Sequence, residues 1–438
     1  MERNEKYIEN FAKLIRKETI STHDENDLTK FYEFHDVLRD VFPNVFRVCE
    51  FKEFHGSFLL IWKGSSETKK PVMLMNHHDV VEATGKWDHA PFGAEISDGR
   101  IWGRGTFDTK GGLWAMLQAA DDLIADGYIP NRDIYFESTC NEETTGHGAE
   151  EISAWMLQEG IELDITLDEG GMMMYDPIGG ADGTFAVIGM GEKGCCDLKF
   201  VARSNGGHAA MPPKDTPLVC LGKFMAEVEK KDPFDKELNP TVRELFNRIA
   251  PYMGTVGFVL SHNKLFGGLI KAVMPKVSAT AGAMLKTTLA FTVAQGSNGN
   301  NVLPQEAFVI GNMRFSHHEG RDRSISKLKP IADKYGIEIE ILDPGFTSGI
   351  SDFKGEGFKL VEQAVAEVFP DVDRSVPYIL TGASDARYYD KVCKQCIRFL
   401  PFKIDDQQLA GMHGLNENIN VDSLIPAVDF YKYFISHC

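Results

Sequence analysis

Two histidines and several carboxylates stand where they could serve one reaction. His77-His78-Asp79 follows the apolar run Pro71–Met75, and Asp108 lies in Gly103-Arg-Gly-Thr-Phe-Asp-Thr-Lys-Gly-Gly112, just before a helical pattern. Asn141-Glu142-Glu143 follows a strand-like run, Asp168-Glu169 follows another, and His413-Gly-Leu-Asn-Glu417 comes late in the chain. Carboxylates gathered in one place repel unless positive charge lies between them. Mixed histidine and carboxylate donors suit zinc or a similar transition ion. Two histidines and three carboxylates are enough for two ions if one carboxylate bridges; such a pair acidifies a water and clamps a carbonyl. A further carboxylate is then left to move the proton. Taken singly, each residue has an ordinary reading. His77 could be a hydrogen-bonded strand end, Asp108 a turn residue, Glu142-Glu143 a solvated helix start, Asp168-Glu169 a polar turn and His413 a surface loop. The ordered set carries the signal.

Other chemistries lack their motifs. There is no G-x-x-x-x-G-K-[ST], no H-E-x-x-H and no G-x-S-x-G, and Gly103-Arg-Gly105 ends in Asp108 where a dinucleotide fingerprint needs glycine.

The elements that must position these residues follow from apolar spacing. Helical periodicity marks residues 4–18, 26–41 and 111–126, the last with one apolar face and Gly127 as its stop. Residues 71–75, 133–138 and 161–167 read as strands. This alternation predicts an α/β sheet with helices on its faces, in which ligands gather beyond the carboxyl ends of the strands. Near Gly189 the texture changes. Strand, helix, strand, strand, helix and strand follow in the ferredoxin-like order, interrupted by a stretch at 232–283 that reads as irregular because it is rich in Pro, Gly and Asn. The expected organisation is a catalytic domain of residues 1–190 and 346–438 with an inserted second domain of residues 191–345.

Composition limits the partners. The chain has 438 residues, and its 46 Lys and Arg against 64 Asp and Glu give a net charge of −18. That balance argues against nucleic acid and against an anionic membrane as partner. The charged N-terminus has no apolar signal segment and no run approaches a membrane span, so a cytoplasmic location is expected. Eight cysteines in this length are too few for a disulfide scaffold and read as reduced residues; Cys393-Lys-Gln-Cys396 is a single C-x-x-C pair without a second pair for a thiolate zinc site.

The motif strings resemble the co-catalytic zinc family of aminoacylase, acetylornithine deacetylase, succinyl-diaminopimelate desuccinylase, glutamate carboxypeptidase and Gly-Xaa carboxypeptidase. The matching stretches include Asn76–Val81, Trp87–Phe92, Ile101–Gly111, Asn141–Glu143, Leu167–Gly170, Gly206–Ala209, Asn301–Pro304, Thr381–Arg387 and His413–Glu417, in the family's order. The lengthened 232–283 stretch resembles the Gly-Xaa carboxypeptidase branch. The family's Asp-Glu-Glu is here Asn141-Glu142-Glu143, and Thr109 stands where Asp or Met is frequent; these departures bear on branch and kinetics. The resemblance implies a zinc-peptidase-like domain, with a mixed sheet flanked by helices, and an inserted ferredoxin-like α+β lid that forms a homodimer. It implies two zinc ions per subunit, with cobalt or manganese as substitutes. His77 would bind one ion, with Asp79 orienting its imidazole, and Asp108 would bridge. Glu143 and His413 would hold the second ion, and Asp168 or Glu169, with Glu169 favoured, would complete the first. Glu142 would be the general base. His208 would steady the oxyanion in a neighbouring subunit's site, and Arg387 would hold a substrate carboxylate. The implied activity is hydrolysis of an amide bond beside a free C-terminal carboxylate, in a small peptide or an N-acyl amino acid. A silent binding protein on the same fold is the alternative from another class.

Overall fold

The computed structural model describes residues 2–23 and 25–438. Among them the largest sheet has nine strands. Across it run Glu50–Phe54, Ser57–Trp62, Ile134–Ser138, Val72–Met75, Ile165–Asp168, Cys396–Arg398, Thr184–Glu192 and Arg374–Leu380, with Met172–Tyr175 paired to Thr184–Glu192. The sheet is mixed: Val72–Met75 runs parallel to both of its neighbours, whereas Ser57–Trp62 is antiparallel to Ile134–Ser138.

The central strands are apolar on both sides because both faces are covered. Leu60, Val72, Leu74, Phe136 and Leu167 pack on one face with the helices Glu2–Arg16, Lys110–Ala125, Glu356–Val368 and Leu424–His437. Leu59, Ile61, Met73, Met75 and Tyr135 alternate to the other face, under the helix Gly148–Gln158 and the short turn Asp385–Tyr389. The single apolar face expected for the helix near 111–126 is corrected here. Lys110–Ala125 is buried nearly all round, because it lies between the sheet and outer helices, of which Glu2–Arg16 supplies Tyr7 and Phe11 against Trp114, with ring centroids 5.5 and 5.3 Å away.

A second sheet has four antiparallel strands in the order Thr288–Gln295, Glu306–Phe315, Gly194–Arg203, Ile337–Phe346. With the helices Pro217–Lys231 and Gly320–Lys334 on one face, this is the ferredoxin-like arrangement. Glu306–Phe315 alternates strictly, so Met313 and Phe315 enter that core while Asn312 and Arg314 point the other way.

The irregular stretch expected at 232–283 is instead helical: Pro240–Ile249, Gly254–Ser261, Asn263–Val277 and Ala279–Leu285. Its prolines and glycines mark ends as much as loops. Pro240 occupies the first turn behind an Asn239 cap whose side chain accepts from Val242 N at 2.8 Å. These helices pack on the large sheet: Leu245, Phe246 and Ile270 share a core with Phe185, Val187 and Val376.

Candidate active site

Three adjacent parallel strands deliver their following loops to one place. Val72–Met75 leads to His77 and Asp79, Ile134–Ser138 leads to Glu142 and Glu143, and Ile165–Asp168 ends in Asp168-Glu169. Asp108 stands just before the helix Lys110–Ala125, where the helix dipole favours an anion. That helix comes very close to the strand end. A Cβ on Gly112 would lie 2.1 Å from Asn76 Oδ1, so glycine is required there. His413 follows the helix Asp406–Gly411 and adopts φ 55°, a left-handed backbone uncommon outside glycine.

His77 Nδ1 lies 3.0 Å from the Asp79 carbonyl oxygen and 3.3 Å from Asp79 Oδ1. Both are acceptors, so Nδ1 carries the proton and a neutral ring leaves Nε2 as a lone pair. That lone pair faces Asp108 Oδ1 at 3.1 Å. His413 Nε2 is 3.0 Å from Asp108 Oδ2 and 3.0 Å from Glu143 Oε2. Asp108 therefore has one oxygen toward each imidazole, as a bridging ligand would. Ligand atoms of His77, Asp108 and Glu143 all fall within 4.8 Å of one another.

Acceptors facing acceptors need a proton or a cation between them. Burial disfavours the ring charge of His77, yet its hydrogen bonds with Asp108 and Asp79 hold its pKa well above the ordinary value. Hydrogen bonds to Asp108 and Glu143 raise His413 to about 10. Burial, with Asp108 nearby, pushes Glu143 up to about 7. Burial first, then neighbouring carboxylates, likewise raises Glu142 and Glu169 well above the usual range. Burial works against the Asp108 charge, but hydrogen bonds from His413 and His77 lower its pKa. Glu143 Oε1 and Glu169 Oε2 are buried without a hydrogen-bond partner. These orphaned oxygens, with the Nε2 atoms of two imidazoles both directed at carboxylate oxygens, fit divalent metal ions in place of the protons.

The two acids of the Asp168-Glu169 pair are distinguished by their partners. Asp168 accepts from Glu169 N at 2.9 Å and from Ala386 N at 2.7 Å, which commits both carboxylate oxygens. Glu169 lines the adjacent cavity. Asp79 is fully buried and works as a clasp, accepting from Ser21 Oγ at 2.6 Å, Glu142 N at 3.2 Å and Glu143 N at 3.1 Å.

The cavity beside these groups measures about 720 Å³ and lies between the two sheets. The large-sheet side supplies Glu142, Arg387 and the apolar Met172, Met174, Val187 and Leu380; the four-stranded sheet supplies Asn312, Arg314 and Phe346. Arg387 Nη1 donates to Ser384 O at 2.9 Å and lies 3.6 Å from Glu142 Oε1. Its guanidinium stacks 4.4 Å from the Phe346 ring centroid, and its Nε is buried with no partner. His208 is not brought to this cavity. It is exposed in a two-residue strand paired with Val302–Leu303, and its Nδ1 accepts from Ala210 N at 3.0 Å.

Two buried carboxylates at the site have no role in the sequence reading. Glu417 Oε1 accepts from Phe107 N and Asp108 N at 2.8 and 3.1 Å, while Oε2 takes Gly105 N at 3.0 Å and Arg104 Nη1 at 2.8 Å. It ties the Asp108 loop to the His413 loop. Asp385 accepts from Thr139 Oγ1 at 2.6 Å, and burial, opposed by Arg387, raises it to about 6. Both residues sit inside motif strings, but their partners are distant in sequence. The cysteines are unbridged. Among the described residues no helix is long and apolar enough to cross a membrane.

With fold and site in view, the class of the protein follows. Residues 73–437 match the model of peptidase family M20/M25/M40, and the chain belongs to that family. It is a hydrolytic enzyme of the metallopeptidase class. It is 30% identical to "Probable carboxypeptidase S-like 2" of Dictyostelium discoideum over 97% of this chain and 84% of that protein. It is 31% identical to human N-fatty-acyl-amino acid synthase/hydrolase PM20D1 over 93% of this chain and 82% of that protein. Among solved structures, the M20 family metallo-carboxypeptidase Sso-CP2 of Sulfolobus solfataricus superposes with a TM-score of 0.72 at 19% identity, covering 98% of both chains.

Proposed function

We propose that this peptidase cleaves the amide bond next to a free C-terminal carboxylate, with Glu142 as general base and Arg387 as the carboxylate anchor. One juxtaposition carries the reading. Glu142 and Arg387 face the same cavity, 3.6 Å apart, beside the His77, Asp108, Glu143 and His413 cluster. His77, Asp108 and Glu169 would hold one zinc ion and Asp108, Glu143 and His413 a second. When bound, the ions supply Lewis acidity toward the scissile carbonyl and lower the pKa of a water. The chain's own groups do the rest. Arg387 Nε, buried and unpartnered, is available to a substrate carboxylate, and a guanidinium matches that group in paired hydrogen bonds. Glu142 takes the proton of the attacking water and returns it to the leaving amine. Its burial favours holding that proton between the two steps. Asp79 keeps the His77 ring in the tautomer that frees Nε2.

His208 would complete the site from a second subunit. Its Nδ1 accepts a backbone N–H, so the neutral ring carries its proton on Nε2, free to donate to an oxyanion. The strand Thr288–Gln295 is an exposed edge of its sheet, which suits pairing with a second copy through the lid.

A second reading, an N-acyl amino acid hydrolase, is favoured by the apolar wall of Met172, Met174, Val187 and Leu380, which suits an apolar acyl group. A panel of dipeptides and N-acyl amino acids, each as acid and as amide, assayed with zinc, cobalt or manganese, tests both readings. The acids should turn over and the amides should be poor. Equal hydrolysis of acid and amide would sink the carboxylate anchor.

A further inference from the structure

The acidity of the chain is unevenly spread. No Asp or Glu occurs between Glu244 and Glu306, although the whole chain carries a charge of −18. Within that interval Arg248 is paired with Glu244 and Glu362, and Lys286 with Asp232. Lys264, Lys271 and Lys276 enter no ion pair among the described residues.

The same interval turns apolar side chains outward. The helix Asn263–Val277 buries Asn263, Ile270 and Met274. Yet Leu265, Leu269, Val273 and Val277, each four residues apart, stay exposed, Leu265 at 77% and Val277 at 68%. A four-residue spacing keeps successive side chains neighbours on a helix, so these form one ridge. Val256 and Phe258 of the preceding helix Gly254–Ser261 are also exposed, Phe258 at 62%. Such a contiguous apolar surface marks an interaction site.

We propose that the face formed by Gly254–Ser261 and Asn263–Val277 docks on an anionic lipid surface. Charge complementarity chooses the occupant. An apolar helical ridge with unpaired lysines on its own helix is the pattern of an element lying in the headgroup plane, its apolar side chains inserted and its lysines among lipid phosphates. A second copy of the chain fits this face less well, because twofold pairing sets the same patch against itself, and this patch has lysines but no carboxylate to meet them. The net charge of the molecule then orients it, since the acidic remainder is repelled by the surface that the lysines approach. The face is also continuous with the cavity. Asn263–Val277 runs directly into Ala279–Leu285, whose Thr280 lines the cavity that holds Glu142. Docking would bring the lipid phase beside the cavity. The proposal concerns binding and stands whether or not the substrate assignment does.

The test is sedimentation of the full chain with vesicles of phosphatidylcholine alone and of phosphatidylcholine with phosphatidylserine. Binding is expected to the mixed vesicles, much less to the neutral ones, and it should fall as salt rises. Leu265→Glu with Leu269→Glu should abolish binding. Lys264→Gln, Lys271→Gln and Lys276→Gln together should lower the partition coefficient on the order of a hundred-fold, as about five-fold per lysine implies. Each variant should keep the wild-type melting curve and its turnover of a water-soluble substrate, since none of these residues lies at the reacting groups. Absence of binding to either vesicle, or equal binding by wild type and variants, would overturn the proposal. A change of oligomeric size in the leucine variant, without vesicle binding by the wild type, would assign the face to a second copy and overturn it as well.

Discussion

At the scale of single residues, two adjacent glutamates have different surroundings. Glu143 shares His413 with Asp108, at 3.0 Å in each case, while Glu142 has Arg387 at 3.6 Å. A ligand and a base should therefore fail differently. Glu142→Ala is expected to lower turnover by about 10²–10⁴ while metal content stays near wild type. Glu143→Ala should lose one metal equivalent first. Metal analysis alongside single-turnover kinetics separates the two, and loss of metal from the Glu142 variant would reverse the assignment. The same logic divides Asp168 from Glu169. Backbone N–H groups already occupy both Asp168 oxygens, whereas Glu169 Oε2 is buried and unpartnered.

At the scale of elements, the ligands depend on loops held from outside themselves. Glu417 accepts three backbone N–H groups of the Gly105–Asp108 loop and pairs with Arg104, and both side chains are almost wholly buried. Removing one partner of such a pair leaves an uncompensated buried charge. Glu417→Ala should cost about 3–5 kcal/mol in denaturant unfolding and should weaken metal retention through Asp108. Unfolding unchanged within 1 kcal/mol, taken as roughly the spread of ordinary substitutions, would mean that the loop holds itself. This contact also shows where the sequence stops being legible. The metal donors are readable because each follows a short apolar strand, and the strand ends of a partly parallel sheet converge. Glu417 lies 310 residues from its Phe107 donor, and no local periodicity couples positions so far apart. The helices from Pro240 to Leu285 were unreadable for a different reason. Their glycines and prolines count as breakers by composition, yet Pro240 starts a helix, and a Cβ on Gly257 would lie 1.9 Å from the Ala250 carbonyl oxygen, so glycine is there for close packing. The ferredoxin-like order of the second sheet was readable from its inner strands, of which Glu306–Phe315 alternates strictly between a packed and an open face and Gly194–Arg203 does so over most of its length.

At the scale of the whole molecule, the inserted segment is flanked in sequence by the metal donors, at 77–169 on one side and 413 on the other. His208 lies inside that segment, exposed on a two-residue strand paired with Val302–Leu303, and not on the wall of its own chain's cavity. Gly206 and Gly207 before it have φ of 67° and 141°, and the absence of side chains there lets this segment approach another surface closely. If the lid pairs two subunits, twofold symmetry makes the loan of His208 reciprocal. Complementation tests this directly. His208→Ala and Glu142→Ala should each be nearly inactive alone. After subunit exchange, a mixed dimer pairs a chain lacking only His208 with a chain lacking only Glu142. One of its two sites then holds both wild-type residues and the other holds neither, so activity should return toward half the wild-type value per mixed dimer. Recovery must depend on exchange, which labelled subunits can verify. A monomer by sedimentation, or no recovery after verified exchange, would place the action of His208 within its own chain or remove it from the reaction.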